Sequence, residues 1–249
     1  MIIDANTWNK RISQIENADI KEFKANLIQN PFRPIVFNGD YDAFQLTMAH
    51  AEKRFSKLGN FGETCIKIIE REKLFYDAAK IRARSNFIRQ LMCMNSIDFD
   101  EICEQTKLFI QPKLQLRKGI MVIRKNDNSL IVQYPNLSEL HAKNGFINLG
   151  AKKAREPIDT IIVGYLNALK LMMIHPFSDG NGRTCRLIAS AALVEALNLN
   201  HIPFIEPFIR ARILHISDTI AHYMQTGEVN PFLFAFSGGV RDGLEQGDD

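Results

Sequence analysis

His175-Pro176-Phe177-Ser178-Asp179-Gly180-Asn181-Gly182-Arg183-Thr184-Cys185-Arg186 is the stretch around which this 249-residue chain is organised. Upstream of it, Pro157 to Ile174 reads as an amphipathic helix. Pro157 suits a first helical position, and Ile158, Ile161, Ile162, Tyr165, Leu169 and Met172 recur at i, i+3, i+4, i+7 spacing. Downstream, Arg183 to Leu197 reads as a second helix rich in Ala and Leu. The stretch is thus the loop of a helix–loop–helix unit whose second helix starts at the glycines.

That placement carries chemistry. A helix N-terminus presents unpaired backbone N–H groups and the positive end of the helix dipole, so it attracts anions. Gly180 and Gly182 allow a tight turn and a close backbone approach to a ligand. Arg183 and Arg186 are three apart, so on a helix they share a face and both reach the same phosphates. Asp179 is a hard oxygen ligand of the kind that holds Mg²⁺ beside a nucleotide. His175 has an ordinary pKa near neutrality, as a general base requires. Together these residues read as a nucleotide polyphosphate site with a base beside it. A dinucleotide fingerprint does not fit, because Cys185 stands where its third glycine belongs and the preceding element reads as a helix. No Gly-Lys-Ser/Thr triplet is present, which excludes a P-loop.

The stretch resembles the signature of the Fic domain, His-x-Phe-x-(Asp/Glu)-Gly-Asn-Gly-Arg-x-x-Arg, with every specified position matched. The resemblance implies an all-α, mostly helical fold with one β-hairpin flap. It also implies a protein adenylyltransferase that moves AMP from Mg²⁺-ATP to a Ser, Thr or Tyr hydroxyl of a target protein. On that reading His175 is the base, Asp179 holds Mg²⁺, and Gly180, Asn181, Gly182, Arg183 and Arg186 bind the nucleotide phosphates. Transfer of another nucleotide, a phosphate or a phosphocholine group is the enzymatic alternative. A nucleotide-responsive interaction module without catalysis is the other.

The remainder of the chain arranges itself around this unit. Residues 4 to 29 read as one helix, with Asp4 or Asn6 as its cap and Trp8, Ile12, Ile15 and Ile20 on an apolar face. Many Fic proteins carry an inhibitory helix, Ser/Thr-x-x-x-Glu-Gly/Asn, whose glutamate pairs with the second signature arginine. Glu16-Asn17 resembles its end, although Ile12 occupies the hydroxyl position. Two readings of Glu16 stand: an inhibitory carboxylate aimed at Arg186, or an ordinary solvated helix charge. Asn30-Pro31-Phe32-Arg33-Pro34 breaks the helix. Helices follow at about 40–59, 62–78, 79–93 and, with Ser96 as cap, 97–110.

Two β-branched runs, 120–124 and 129–133, flank Lys125-Asn126-Asp127-Asn128 and read as a hairpin. In chain order it matches the Fic flap. The resemblance then implies that Val122, Ile123, Arg124, Leu130 and Ile131 dock the target peptide by strand addition. After the signature, 208–226 reads as a helix stopped by Gly227, and a short apolar segment runs from Asn230 to Phe236. Residues 1–94 are expected to form a helical extension, 95–236 the Fic domain, and 237–249 a disordered tail.

Composition narrows the partners. The chain is 46% hydrophobic and 24% charged, with a net charge of +3, too small to favour a nucleic-acid partner. Cys65, Cys93, Cys103 and Cys185 are scattered without a C-x-x-C pair, which suits free thiols in a reducing compartment. No leader pattern opens the chain, and no run reaches the 18 apolar residues of a membrane span, 188–199 coming nearest. A soluble, cytoplasmic protein without a membrane partner is expected; delivery into a host cell stays open, as do self-modification, an antitoxin partner and a homo-oligomer.

Overall fold

Two helices meeting across the signature loop form the spine of the fold. In the computed structural model, which describes residues 3–34, 39–93, 99–109, 115–124, 130–139 and 156–244, these are α7 (Pro157–Ile174) and α8 (Asn181–Ala196). The helix expected at 157–174 has the expected bounds, but it is not amphipathic in the usual sense. Asn167 and Lys170, 7% and 8% exposed, are buried together with Ile162, Tyr165 and Leu169. Neighbours cover it on most faces, so its apolar spacing marks a central helix rather than a surface one. Among the described residues it is also the helix long and apolar enough to cross a membrane, at a mean hydropathy of 1.4. The segment 188–199 is therefore not the nearest approach to a span. Because 72% of the α7 window is buried inside the protein, its hydropathy is that of a core helix. Gly164 lets α7 and α8 approach: a Cβ there would stand 2.2 Å from the Ala192 Cβ.

Residues 4–29 do not form one helix. They divide into α1 (Ala5–Gln14), a 3₁₀ turn (Ile15–Asn17) and α2 (Lys21–Gln29). Asp4 caps α1 as expected, accepting the Thr7 N–H at 3.0 Å. The break follows from burial, since Trp8, Ile15 and Phe23 are all at most 1% exposed and a kink is what brings them onto one core. Trp8 packs against Tyr134 with ring centroids 5.1 Å apart, and Phe23 lies 6.3 Å from the Tyr165 ring. Such a fully buried aromatic or aliphatic side chain contributes roughly 1.5–3 kcal/mol.

Helices α3 (Asp40–Phe55), α4 (Gly59–Phe75), α5 (Ala78–Cys93) and α6 (Phe99–Phe109) stand close to the expected ranges. The cap expected at Ser96 lies outside the described residues. The strands β1 (Met121–Arg124) and β2 (Leu130–Tyr134) pair antiparallel, Met121 opposite Tyr134 and Ile123 opposite Val132. Register slips between Ile123 and Arg124, so that Arg124 faces Leu130 and Ile131 is the extra residue of a bulge. The hairpin loop at 125–129 lies outside the described residues.

Beyond the signature, the single helix expected at 208–226 is two, α9 (Glu206–Ala211) and α10 (Ile213–Thr226), separated at Arg212. A second apolar cluster joins Phe44, Phe55 and Ile69 of α3 and α4 to Phe204 and to Phe208 of α9. The expected disordered tail is corrected most clearly. Helix α11 runs from Asn230 to Leu244, past the Phe236 limit, with Phe232, Phe236, Val240 and Leu244 all at 0% exposure. Gly238 and Gly239 look like a stop in sequence but serve close packing. A Cβ at Gly239 would stand 2.7 Å from the Ile209 Cα. Asp242 then fastens the helix by accepting Arg212 Nε at 2.7 Å and pairing with Arg54 at 2.9 Å.

Candidate active site

The site grows out of how α7 ends. Its C-cap is His175, in the left-handed region at φ 48°, ψ 56°, with its N–H on the Leu171 carbonyl at 2.8 Å. Glycine or asparagine usually fills such a position because a Cβ is disfavoured there. The chain then crosses Pro176–Asp179 and enters α8 through Gly180, at φ 95°. Here the glycine is needed for its conformation.

Asn181 holds the crossing in place. Its Oδ1 accepts the Phe177 N–H at 2.9 Å, and its Nδ2 donates to the Phe177 carbonyl at 2.7 Å. The Asn181 carboxamide thus spends one bond from each of its polar atoms on the loop itself. Phe177, 0% exposed, is the apolar anchor of the same turn. Thr184 donates to the Gly180 carbonyl at 3.1 Å and lies 3.3 Å from Thr106 of α6, both at 0% exposure. These bonds make the first turn of α8 a rigid platform.

On that platform the expected charged groups converge. The Asp179 side chain, 63% exposed, accepts the Gly180 N–H at 2.6 Å on Oδ1 and Arg183 Nη2 at 2.8 Å on Oδ2. Each oxygen keeps lone-pair capacity, so the carboxylate can still ligate a hard cation. Among the described residues no group of three or more His, Cys, Asp or Glu side chains is placed to hold a metal ion. A cation here would thus rely on Asp179, substrate oxygens and water, as Mg²⁺ beside nucleotides commonly does. Arg186 is 3% exposed, and Gly182 makes room for it: a Cβ at 182 would stand 3.1 Å from Arg186 Nη1. The N-terminus of α8 carries no side-chain cap, and Gly182 in its first turn is half-buried, as suits the approach of an anion to a helix N-terminus. The Cys185 thiol between the arginines is buried, and burial pushes its pKa far up, which makes it inert packing.

The His175 ring is half-buried and rests 4.7 Å from the Tyr134 ring, centroid to centroid. Desolvation lowers its pKa from 6.5 to about 4; the Met172 carbonyl opposes the shift and the Arg117 charge adds to it. The imidazole is therefore neutral near pH 7. Its Nδ1 lies 3.4 Å from the Met172 carbonyl, and the tautomer that donates there leaves the Nε2 lone pair to act as a base.

One expectation falls elsewhere. Glu16 does not meet Arg186: its Oε1 accepts Lys170 Nζ of α7 at 2.9 Å. Lys170 outcompetes it because the turn at Ile15–Asn17 packs on α7 and leaves the Glu16 side chain 63% exposed. Of the hairpin residues, Val122 is 39% exposed, in line with the exposed Leu116 and Ile120 just before it. For Ile123, Arg124, Leu130 and Ile131 the description extends to the backbone.

One residue was missed. Arg117, 5% exposed, donates from Nε to the His175 carbonyl at 2.7 Å and from Nη2 to the Ile174 carbonyl at 3.2 Å. Its sequence neighbours, Lys118 and Arg124, make it look like one more solvated charge, and no local signal sets it apart.

Residues 96–193 match the Fic/DOC family. A 78-residue stretch is 42% identical to the ribonucleoside-diphosphate reductase small chain of Ostreid herpesvirus 1 (isolate France), covering 31% of this chain and 12% of that protein. A 90-residue stretch is 33% identical to the protein adenylyltransferase Fic of Nematostella vectensis, covering 36% of this chain and 20% of that protein. These matches span only a minor part of either relative. A crystal structure of a Fic family protein from Desulfovibrio desulfuricans G20 is similar over 98% of this chain and 74% of that one, at 16% identity and a TM-score of 0.48.

Proposed function

We propose that this chain, which is a Fic-domain protein, is a transferase that moves AMP from ATP to a hydroxyl side chain of a target protein. The observation that carries the reading is the pairing of a neutral His175 with the uncapped first turn of α8 across a rigid loop. The His175 Nε2 takes the proton of a Ser, Thr or Tyr hydroxyl. The resulting oxygen bonds to the α-phosphorus as the bond from that phosphorus to the β-bridging oxygen breaks, and pyrophosphate leaves. Gly182 offers its backbone N–H to the phosphates, while the Arg183 and Arg186 guanidiniums neutralise charge on them. Catalysis then comes from positioning and charge compensation, as in other phosphoryl and nucleotidyl transfers.

Mg²⁺, held by Asp179, would supply further charge neutralisation on the phosphates. What supports this is that each Asp179 oxygen accepts one hydrogen bond, from the Gly180 N–H and from Arg183, and keeps lone-pair capacity for a hard cation. The exposure of Ile120 and Val122 supports strand addition at the hairpin as the way a target peptide is aligned.

Incubation with ATP labelled on the α-phosphate, followed by denaturation, tests this. Label retained on protein is the expected result, with His175→Ala lowering it by about 10²–10⁴, the usual worth of a general base. Binding of nucleotide with no retained label would instead make the chain an interaction module. Retention from γ-labelled ATP in place of α-labelled ATP would make it a phosphotransferase.

A further inference from the structure

We propose that Arg117 is the positioning residue of His175, holding the base in its left-handed conformation from a segment 58 residues upstream; the inference rests on the transfer reading above. The last carbonyls of a helix have no intrahelical partner, and Ile174, 1% exposed, needs one from within the protein. One guanidinium serves two of them and the start of the hairpin. Nε reaches the His175 carbonyl at 2.7 Å, Nη2 the Ile174 carbonyl at 3.2 Å, and Nη1 the Gly119 carbonyl at 2.8 Å.

The backbone reinforces the clamp. The Arg117 N–H donates to the Pro176 carbonyl at 2.9 Å, the Ser178 N–H donates to the Gln115 carbonyl at 2.9 Å, and Leu116 bridges Phe177 antiparallel. The loop is thus held by Arg117 on one flank and by the Asn181 carboxamide on the other. A histidine in the left-handed region persists only where its surroundings over-determine it, and these two clips do so. A lysine could not substitute, because a single ammonium lacks the planar fork that spans three carbonyls. The Arg117 charge also holds the ring towards its neutral form. Since Arg117 lies four residues before β1, one short segment both presents the exposed edge and holds the base.

The test uses the full chain with ¹³Cε1-labelled histidine. Its six histidines give few signals, and His175→Ala identifies the one that the Tyr134 ring displaces. In Arg117→Met and Arg117→Lys that signal should leave its displaced position. Labelled-AMP transfer should fall about 10²-fold in kcat, the effect of an ångström-scale misplacement, with KM for ATP unchanged. Added guanidinium ion should restore part of the Arg117→Met rate. A folded variant whose His175 signal stays in place, or which keeps the parent kcat, overturns the proposal. So does loss of helical circular dichroism in both variants, which would assign Arg117 to stability alone. If the parent itself transfers no label, the transfer reading fails, and the histidine signal still decides where Arg117 acts.

Discussion

Titrating His175 through the folding equilibrium tests the environment assigned to the base without any assay of transfer. Burial lowers its pKa from 6.5 to about 4, so between these values the unfolded chain binds a proton that the folded chain refuses. Stability therefore rises with pH across this window. The contribution is fully present above about pH 6.5 and is lost as pH falls towards 4. At about 1.36 kcal/mol per pKa unit, protonation of the unfolded state at pH 5 removes about 2 kcal/mol relative to pH 7, and about 3 kcal/mol is gone below pH 4. Urea unfolding of the parent and of His175→Gln, at half-unit steps from pH 7.5 to 4.5, isolates the effect. Other groups titrate in both proteins and cancel in the difference. The parent should lose about 2 kcal/mol more than His175→Gln between pH 7 and pH 5. Parallel curves over that interval would mean that His175 titrates normally, and would remove the desolvated ring from the mechanism.

Three further outcomes are expected. Glu206, 1% exposed, accepts Arg84 at 2.6 Å and Ser190 at 2.9 Å beneath α8, so Glu206→Ala should cost about 3–5 kcal/mol by leaving a buried guanidinium uncompensated. Chemical denaturation measures it, and a loss below about 1 kcal/mol would show that the pair is solvated. Glu16→Gly should change stability by less than about 1 kcal/mol and leave label transfer at the parent level, because the exposed carboxylate sits on Lys170. A sharp rise in transfer by that variant would reinstate Glu16 as an inhibitor of Arg186. Val122→Pro removes an N–H from a strand paired with β2, and should weaken modification of a protein target more than ATP binding. Equal losses in the two assays would reduce the hairpin to a packing element.

The signature loop was legible because its geometry is local. A proline at the first position of α7, glycines at the entry of α8 and an asparagine four residues from the amide it meets act over distances that a sequence window spans. Helical periodicity likewise exposed most helices, and two β-branched runs around an Asn/Asp loop exposed the hairpin. Where both faces of an element are covered, periodicity misleads. α7 reads as amphipathic although its polar Asn167 and Lys170 are buried, and α11 reads as ended at glycines that in fact admit Ile209.

What the sequence determined by itself, then, was the identity and order of the residues on the signature turn, since turn and cap chemistry depend on neighbours. Tertiary structure alone decided which distant group each buried charge meets. Lys170 pairs across 154 residues with Glu16, Arg84 across 122 with Glu206, and Arg117 across 58 with the His175 carbonyl. A charged side chain reads the same in sequence whether water or protein surrounds it. Its partner is chosen only when packing of the apolar faces has set which helices touch, and desolvation then makes that one contact obligatory.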